Sequence, residues 1–217
     1  MAGGYFEYSR EEVAALAPAG VRRVLDVGCA TGKLGALLKA REGCEVHGVE
    51  INSAAAEQAR LALDSVMVGD AEKLDLPFPD GFFDCLIYAD VLEHLRNPQE
   101  MLLRHARHLA PGGWVMVSVP NVRSWETLSP LIFRGAWRYQ EAGVLDQTHL
   151  RFFTRRSAQE MVEGAGYRVV RTVYNVPRSR GSRRTNRLTC GLLREFLAVQ
   201  ILMLGQKAAE TAADGRG

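Results

Sequence analysis

Five short apolar runs alternate with helical patterns through the first 120 residues, and this alternation limits the possible folds more than any other feature. The runs cover residues 22–28, 44–50, 65–70, 83–90 and 113–120, and turn residues bound each of them. Segments of helical periodicity, such as GKLGALLKAR and PQEMLLRHARHLA, lie between the runs. The sequence Pro111-Gly112-Gly113 is expected to end the last of these helices. Strands separated by helices predict βαβ units, and therefore a parallel sheet with helices on both faces.

The size and composition of the chain suit one α/β domain. Its 217 residues are enough for one well-buried domain and too few for two ordinary ones. With 47% hydrophobic and 24% charged residues, the chain does not resemble a disordered protein. No apolar run reaches the roughly 18 to 20 residues of a membrane span, and the first residues, MAGGYFEYSREEVAAL, lack the apolar stretch of a signal peptide.

The four cysteines indicate the expected compartment. They are widely spaced and form no CxxC pair. A disulfide framework or a zinc site is therefore not expected, and a reducing cytoplasm fits best.

The alternation ends after Pro120. Residues 121–153 show no clear strand, yet they hold 6 of the 17 aromatic side chains, a density that argues against disorder and favours a cap over a site. A helix is then predicted in TRRSAQEMVEGAG, where Ser157 and Glu160 have the spacing of a capping box. Strands are predicted over residues 167–174 and 196–205, and the tail over residues 208–217 is expected to fray.

Charge is unevenly distributed along the chain. Residues 1–120 carry 11 basic and 17 acidic side chains, whereas residues 121–217 carry 16 and 8. The basic half includes RSRGSRRTNR, residues 178–187, within a loop predicted over residues 175–195. Such a run can bind nucleic acid or an anionic substrate, or it can simply be solvated. Because no aromatic residues are interleaved with these arginines, we favour the solvated loop and do not expect a nucleic-acid partner.

The stretch VLDVGCATG, residues 24–32, joins the first predicted strand to the first helix. Gly28 and Gly32 allow the backbone to approach a ligand closely and to adopt positive φ. The helix that begins there offers free N–H groups and the positive end of its dipole. Since the turn lies at the carboxyl edge of a parallel sheet, it is where such folds bind ligands.

The acids around this turn indicate which ligand fits. A dinucleotide fingerprint started at Gly28 meets alanine and then lysine where it needs glycine, so NAD is disfavoured. Asp26 would repel a pyrophosphate but suits an ammonium or sulfonium group. Glu50 ends the second strand about 22 residues after Gly28, where a carboxylate can accept both ribose hydroxyls of an adenosine. Asp70 follows the third strand, where it could bind the adenine amino group.

These motifs occur in the order found in one enzyme family. From about residue 21 to residue 207, the chain resembles the class I S-adenosylmethionine-dependent methyltransferases. The motifs that carry the resemblance are DVGCATG, the acid after the second strand, GDAEKLDLPFPDGFFD, ADVLEHLRNP and LAPGGWVMVSVPN. One departure is Ala30, where many members have glycine. The resemblance implies a single Rossmann-like, doubly wound α/β domain over residues 1–217. Its seven-stranded sheet would be mostly parallel with an antiparallel last strand, and a helical, aromatic cap would be inserted at residues 121–153.

The resemblance also implies the cofactor and its site. S-adenosylmethionine would be the cofactor and S-adenosylhomocysteine the product, with no metal expected. Ile51 would pack on the adenine and Asp90 would lie near the methionine end, whereas His94 in the LEHL run would be a structural residue at a helix start. The implied cofactor-binding residues are Asp26, Gly28, Cys29, Gly32, Glu50, Ile51, Asp70, Ala71 and Asp90.

Residues 145–154, LDQTHLRFFT, carry the candidate catalytic groups. An imidazole ionises near neutral pH, as a general base should, and Asp146 three residues before His149 could orient its ring. The alternative is that Asp146, Thr148 and His149 only form a hydrogen-bonded corner of the cap. Both interpretations of His149 remain open from the sequence.

The candidate acceptor-binding residues are Trp137, Tyr139, Arg151 and Phe152. The aromatic rings would form the wall of the acceptor pocket. Arg151 could bind a carboxylate or phosphate of the acceptor, or could instead pair with Asp146.

A subgroup resemblance suggests the kind of substrate. Two segments, GAWRYQEAGVLDQTHLRFFT and YFEYSR at residues 5–10, resemble small bacterial methyltransferases associated with sugar, surface-polysaccharide and natural-product pathways. This resemblance implies that the segment over residues 1–20 would close over the cofactor. The expected reaction is O-methylation of a small polar metabolite, with no membrane span. A nitrogen or carbon acceptor, an RNA acceptor held by the basic loop, and a non-catalytic cofactor-binding partner remain alternatives. The oligomeric state does not follow from the sequence.

Overall fold

The computed structural model describes residues 10–177 and 185–208, and one seven-stranded sheet forms its centre. The strands are β1 Arg23–Val27, β2 Glu45–Glu50, β3 Ser65–Val68, β4 Phe83–Ala89, β5 Leu109–Pro120, β6 Tyr167–Asn175 and β7 Gln200–Lys207. Their order is β3-β2-β1-β4-β5-β7-β6. All pairs are parallel except those of β7, which runs opposite to β5 and β6. The predicted doubly wound α/β sheet with a reversed last strand is confirmed.

Helices connect the strands and cover both faces of the sheet. They are α1 Arg10–Leu16, α2 Lys33–Glu42, α3 Ser53–Ala59, α4 Pro98–His105, α5 Trp125–Arg134, α6 Arg155–Gly164 and α7 Arg194–Leu197, with 3-10 turns at Leu92–His94 and Ala106–His108. Successive strand residues enter different cores: Leu86 packs with α4 and α6, whereas Ile87 packs with α1, α2 and α3. Because both faces of the sheet are buried, the sequences of these strands are continuous apolar runs.

Several predicted boundaries were wrong, because sheet pairing overrides local turn signals. α4 ends at His105, and Pro111-Gly112-Gly113 lies inside β5 instead of ending the helix. The pairing of β4 with β5 shifts register between Phe83 and Cys85, so the extra residues form a bulge in β5. The third strand stops at Val68, and the last strand starts only at Gln200, after the short helix α7.

The capping box of α6 lies one turn earlier than predicted. The N-cap is Thr154, whose hydroxyl accepts from the Ser157 amide at 3.2 Å, while the Ser157 hydroxyl accepts from the Thr154 amide at 3.0 Å. Glu160 instead pairs with Arg156 on the helix surface. The predicted helix is present, but the serine serves as its third residue and not as its cap.

The cap over residues 121–153 contains α5, which begins after the N-cap Ser124 and ends at Gly135 with a φ of 59°. The described part of the N-terminal segment, α1, packs on α2, whose Arg41 donates to the carbonyls of Ala14 and Ala17. Residues 5–9, the arginines at 178–184 and the tail at 209–217 lie outside the described residues. In residues 10–177 and 185–208, no helix has the length and apolar character needed to cross a bilayer. The four cysteines, all within the described residues, form no disulfide.

Candidate active site

The glycine-rich turn after β1 is anchored to the end of β2. The amides of Gly28 and Cys29 both donate to the carbonyl of Val49, at 2.8 and 3.1 Å. Gly28 has a φ of 73°, and Ala30 is also left-handed with a φ of 48°, a conformation that costs an L residue roughly 1 kcal/mol. The Ala30 amide donates to Oε2 of Glu50 at 2.8 Å, so this carboxylate helps to hold the strained turn.

Glu50 is mostly buried, and its two oxygens are already oriented by backbone amides. Oε2 accepts from Ala30, and Oε1 accepts from the amide of Asn52 at 2.8 Å. Each carboxylate oxygen can accept about two hydrogen bonds. One acceptor position on each oxygen therefore remains beyond these amides.

A cavity of about 970 Å³ opens at the carboxyl edge of β1, β2, β3 and β4. This volume lies at the upper end of small-molecule sites, so it can hold a nucleoside cofactor together with part of a second molecule. The predicted cofactor residues that line it are Gly28, Cys29, Glu50, Ile51, Asp70, Ala71 and Asp90. The structure therefore brings seven of the nine predicted residues around one space.

Asp26 and Gly32 lie elsewhere, which corrects their expected placement. Asp26 is completely buried inside β1, between Gly48 of β2 and Ile87 of β4. Gly32 precedes α2 with a φ of 78°, and a Cβ there would lie 3.1 Å from the Cα of Ala59. Gly32 thus permits α2 to pack closely on α3, and neither residue lines the cavity.

Asp70 is fixed by its own loop. Its Oδ1 accepts from the amide of Glu72 at 3.0 Å and its Oδ2 pairs with Lys73 at 2.8 Å. The hydrogen bond from Lys73, and next the bond from the Glu72 amide, lower the pKa of Asp70. The carboxylate is thus ionised at neutral pH where it lines the cavity.

Asp90 follows β4 with a φ of 59°, a left-handed conformation that is unusual for a residue other than glycine. Its Oδ1 accepts from the hydroxyl of Ser118 at 3.3 Å and from the amide group of Gln200. These contacts come from β5 and from β7. Backbone strain supported by neighbouring strands is typical of functional positions.

The segment LDQTHLRFFT is tied to the 3-10 turn Leu92–His94. The amides of Leu150 and Arg151 both donate to the carbonyl of Glu93, at 2.8 and 3.0 Å. The Thr148 hydroxyl donates to Oδ1 of Asp146 at 2.7 Å and lies 3.1 Å from Nδ1 of His94. Thr148 and His94 consequently become part of the cavity wall.

His149 lies behind this wall, with 5% of its surface exposed, and is not among the lining residues. Its Nδ1 lies 3.0 Å from the carbonyl of Val144, and its Nε2 lies 4.0 Å from Oε1 of Glu93. The carboxylate of Asp146 bonds the amide and hydroxyl of Thr148, not the imidazole. The expected Asp146–His149 hydrogen bond is therefore replaced by a chain from Asp146 through Thr148 to His94.

Burial and charge change the acidity of this group of residues. Burial, and next the neighbouring Asp90, raise the pKa of Glu93 well above its usual value. Burial, and next the neighbouring His149, lower the pKa of His94. Burial opposes ionisation of Asp146, but the hydrogen bonds from Thr148 outweigh it and lower the pKa of that carboxyl.

The sequence interpretation missed His94 as a cavity residue. It was expected to be a structural residue, and its ring instead reaches the cavity beside Thr148. The available signal was its position four residues after Asp90, just past the carboxyl end of β4, where ligands bind in such sheets.

The predicted aromatic residues of the cap do meet, but away from the cavity wall. The rings of Trp137 and Phe152 lie 5.3 Å apart edge to face, and Tyr139 lies 6.3 Å from Phe152. The ring of His149 lies 6.4 Å from Phe152, so the aromatic group packs behind this imidazole. It supports the cap and leaves Tyr139 53% exposed.

Arg151 does not pair with Asp146, and it does not line the cavity. Its guanidinium donates to the carbonyl of Arg96, and its side chain lines a separate surface hollow with Pro98 and Met161. The reason is that the amide of Arg151 is fixed on Glu93, which directs the residue to the outside of the 3-10 turn.

The fold is an α/β sheet with a cavity at the carboxyl edge of its strands. Comparison with known proteins identifies the family. The profile of a family described as a methyltransferase domain matches residues 1–172. The chain belongs to this family, and with it to the class I S-adenosylmethionine-dependent methyltransferases.

The similar proteins include enzymes and solved structures. The chain is 36% identical over 112 residues to the ubiquinone biosynthesis O-methyltransferase of Thiobacillus denitrificans, covering 48% of this chain and 47% of that protein. It is 30% identical over 116 residues to O-methyltransferase resE of Aspergillus sclerotiorum, covering 51% and 44%. The chain thus spans less than half the length of these relatives.

A solved structure shares the fold over nearly the whole chain. The S-adenosylmethionine-dependent methyltransferase from Archaeoglobus fulgidus superposes with a TM-score of 0.68 at 23% identity, covering 92% of this chain and 95% of that one. At this identity the likeness establishes the fold, and the reaction must be argued from the site.

Proposed function

We propose that this protein transfers the methyl group of S-adenosylmethionine to a hydroxyl oxygen of a small polar molecule. The observation that carries the proposal is the continuity of one cavity. Glu50 and Asp70 at one end suit the nucleoside of the cofactor, and Asp90, His94 and Thr148 line the same space at the other. Donor and acceptor would therefore meet within a single site.

The nucleoside end supports an adenosyl ligand in particular. The acceptor positions left on Glu50 suit the two ribose hydroxyls, and Asp70 suits the amino group of adenine. Ile51 is 70% exposed although it lines the cavity, and an adenine ring stacked on it would cover this apolar surface. The methionine part would then run past Gly28 toward Asp90.

At the acceptor end the chemistry is a direct displacement. The hydroxyl oxygen attacks the methyl carbon, the carbon–sulfur bond breaks with its electron pair going to sulfur, and S-adenosylhomocysteine leaves. The proton of the hydroxyl passes to water, and the protein must mainly align oxygen and carbon within about 3 to 3.5 Å. The exposed polar groups that can hold the hydroxyl are the imidazole of His94 and the hydroxyl of Thr148.

The roles of the two histidines follow from their burial. His94 lines the cavity and would contact the acceptor, while His149 packs beneath it, with the two rings 4.8 Å apart. We therefore assign acceptor contact to His94 and positioning to His149, with Asp146 acting through Thr148. The names of both relatives, as O-methyltransferases, support an oxygen acceptor.

Label transfer tests this function. The protein would be incubated with S-adenosylmethionine labelled in its methyl group and with pairs of acceptors that share a skeleton but carry either a hydroxyl or an amine. We expect the label on oxygen of hydroxylated rings or sugars, located by mass spectrometry and NMR, with the matched amines unmodified. Label on nitrogen or carbon, or no transfer by a protein that binds the cofactor, would contradict the proposal.

A further inference from the structure

We propose that Glu93, His94 and His149, here called the EHH cluster, bind a divalent transition-metal cation at the acceptor end of the cavity. No metal is expected from the sequence, whereas the EHH cluster gives a reason to expect one. Binding of the cation depends on this cluster alone. Only its role in catalysis rests on the proposed function.

The three side chains converge closely enough to share one ion. One ligand atom from each residue lies within 4.8 Å of the others. Oε1 of Glu93 and Nε2 of His149 are 4.0 Å apart. Ligand bonds of about 2.0 to 2.2 Å place neighbouring ligand atoms about 3 to 3.5 Å from one another, so small side-chain rotations complete the site.

Both imidazoles are already oriented by hydrogen bonds of the kind that fix metal-binding histidines. Nδ1 of His149 lies 3.0 Å from the carbonyl of Val144, and Nδ1 of His94 lies 3.3 Å from that of Thr148. Because a carbonyl can only accept, each Nδ1 carries the proton and the other ring nitrogen keeps its lone pair. A backbone carbonyl in this role sets the tautomer and the direction of a ligating ring.

Glu93 supplies the second, independent observation. Its side chain is 1% exposed, and neither carboxylate oxygen has a hydrogen-bond partner on another described residue. A buried carboxylate without partners is unfavourable unless it is paired, protonated or bound to a metal. The carboxylates of Asp90 and Asp146 also act on Glu93 through space. A cation would therefore enter a region that is already negative.

The donor set indicates the type of ion and the type of acceptor. Two imidazoles and one carboxylate favour Zn²⁺, Fe²⁺, Co²⁺ or Ni²⁺ over Mg²⁺ and Ca²⁺, and three protein ligands leave coordination positions open. Since His94 lines the cavity, those positions would face the acceptor. A molecule with two neighbouring oxygens, such as a vicinal diol, could chelate the ion. The bound hydroxyl would lose its proton to water, and the resulting oxyanion would attack the methyl group.

Titration with Co²⁺ tests the site without measuring activity. Protein freed of metal with a chelator would be titrated with Co²⁺ and followed by visible absorption and calorimetry. We expect one equivalent to bind, Zn²⁺ to displace it, and millimolar Mg²⁺ or Ca²⁺ to leave it in place. Glu93→Gln and His94→Gln should each weaken Co²⁺ binding at least tenfold. His108→Gln, at a buried histidine outside the EHH cluster, and Cys190→Ser, at an exposed thiol, serve as controls and should not.

The outcomes separate the metal from the methyl transfer. S-adenosylhomocysteine binding by the variants would show that they are folded, and His94→Gln changes an exposed side chain that the core does not need. Absence of saturable Co²⁺ binding, or binding unchanged in Glu93→Gln and His94→Gln, would overturn the proposal. Saturable binding in a protein that methylates no hydroxyl would support the metal site and contradict the proposed function instead.

Discussion

Glu50→Ala should weaken the binding of S-adenosylmethionine and S-adenosylhomocysteine by about 1–3 kcal/mol, which is about 5- to 150-fold in affinity. The carboxylate has two functions that alanine cannot replace. It presents acceptor positions to the ribose, and it accepts from the amides of Ala30 and Asn52. Loss of the Ala30 contact should also loosen the strained turn that carries Gly28. Calorimetry with S-adenosylhomocysteine measures the change directly.

Two variants make the comparison specific. Glu50→Gln keeps the shape and one oxygen acceptor, so its affinity should fall between those of the parent and Glu50→Ala. Glu57→Ala removes an exposed carboxylate of α3 that pairs with Arg60 on the surface, and it should bind like the parent. Equal affinity of the parent and Glu50→Ala would mean that the ribose is held by other residues.

His94→Ala is expected to lower kcat at least about 100-fold, because it removes the imidazole that lines the acceptor end of the cavity. Cofactor affinity should hardly change, since Glu50 and Asp70 lie at the other end. His149→Ala should also slow turnover, but it removes a buried ring and should in addition lower the melting temperature. Thermal unfolding of the two variants therefore distinguishes acceptor contact from packing.

Thr148 offers a matched pair for the same question. Thr148→Ser keeps the hydroxyl that bonds Asp146 and His94, whereas Thr148→Val removes it at nearly constant size. The serine variant should turn over within a few-fold of the parent and the valine variant clearly more slowly. Near-parental rates in His94→Ala and Thr148→Val together would leave alignment alone as the source of catalysis. A nitrogen or carbon acceptor would then be favoured.

The cofactor half of the site could be predicted because its determinants are local. The end of each parallel strand meets the same sheet edge, so the residue that follows a buried apolar run is placed by the fold itself. Glu50 and Asp70, predicted in this way to lie at the sheet edge, both line the cavity. Asp26 does not line the cavity because it precedes the end of β1 by one residue and is buried inside the sheet.

The acceptor half could not be predicted because its contacts join distant parts of the chain. Glu93 and His149 meet through backbone hydrogen bonds from Leu150 and Arg151 to the carbonyl of Glu93. Neither the LEHL run nor the segment LDQTHLRFFT contains a local pattern that predicts this contact. The nearness of Asp146 and His149 in sequence suggested a pair, but the Asp146 carboxylate bonds the residue two positions on, as short acidic side chains often do.

The most direct measurement is a calorimetric titration of the protein with S-adenosylmethionine, S-adenosylhomocysteine and NAD. The central claim is that the cavity between Gly28, Glu50 and Asp90 is built for an adenosyl sulfonium cofactor. It predicts one binding site for each of the two adenosyl ligands, weakened in Glu50→Ala, and no measurable heat with NAD. Tight binding of NAD, or binding of neither adenosyl ligand, would contradict it.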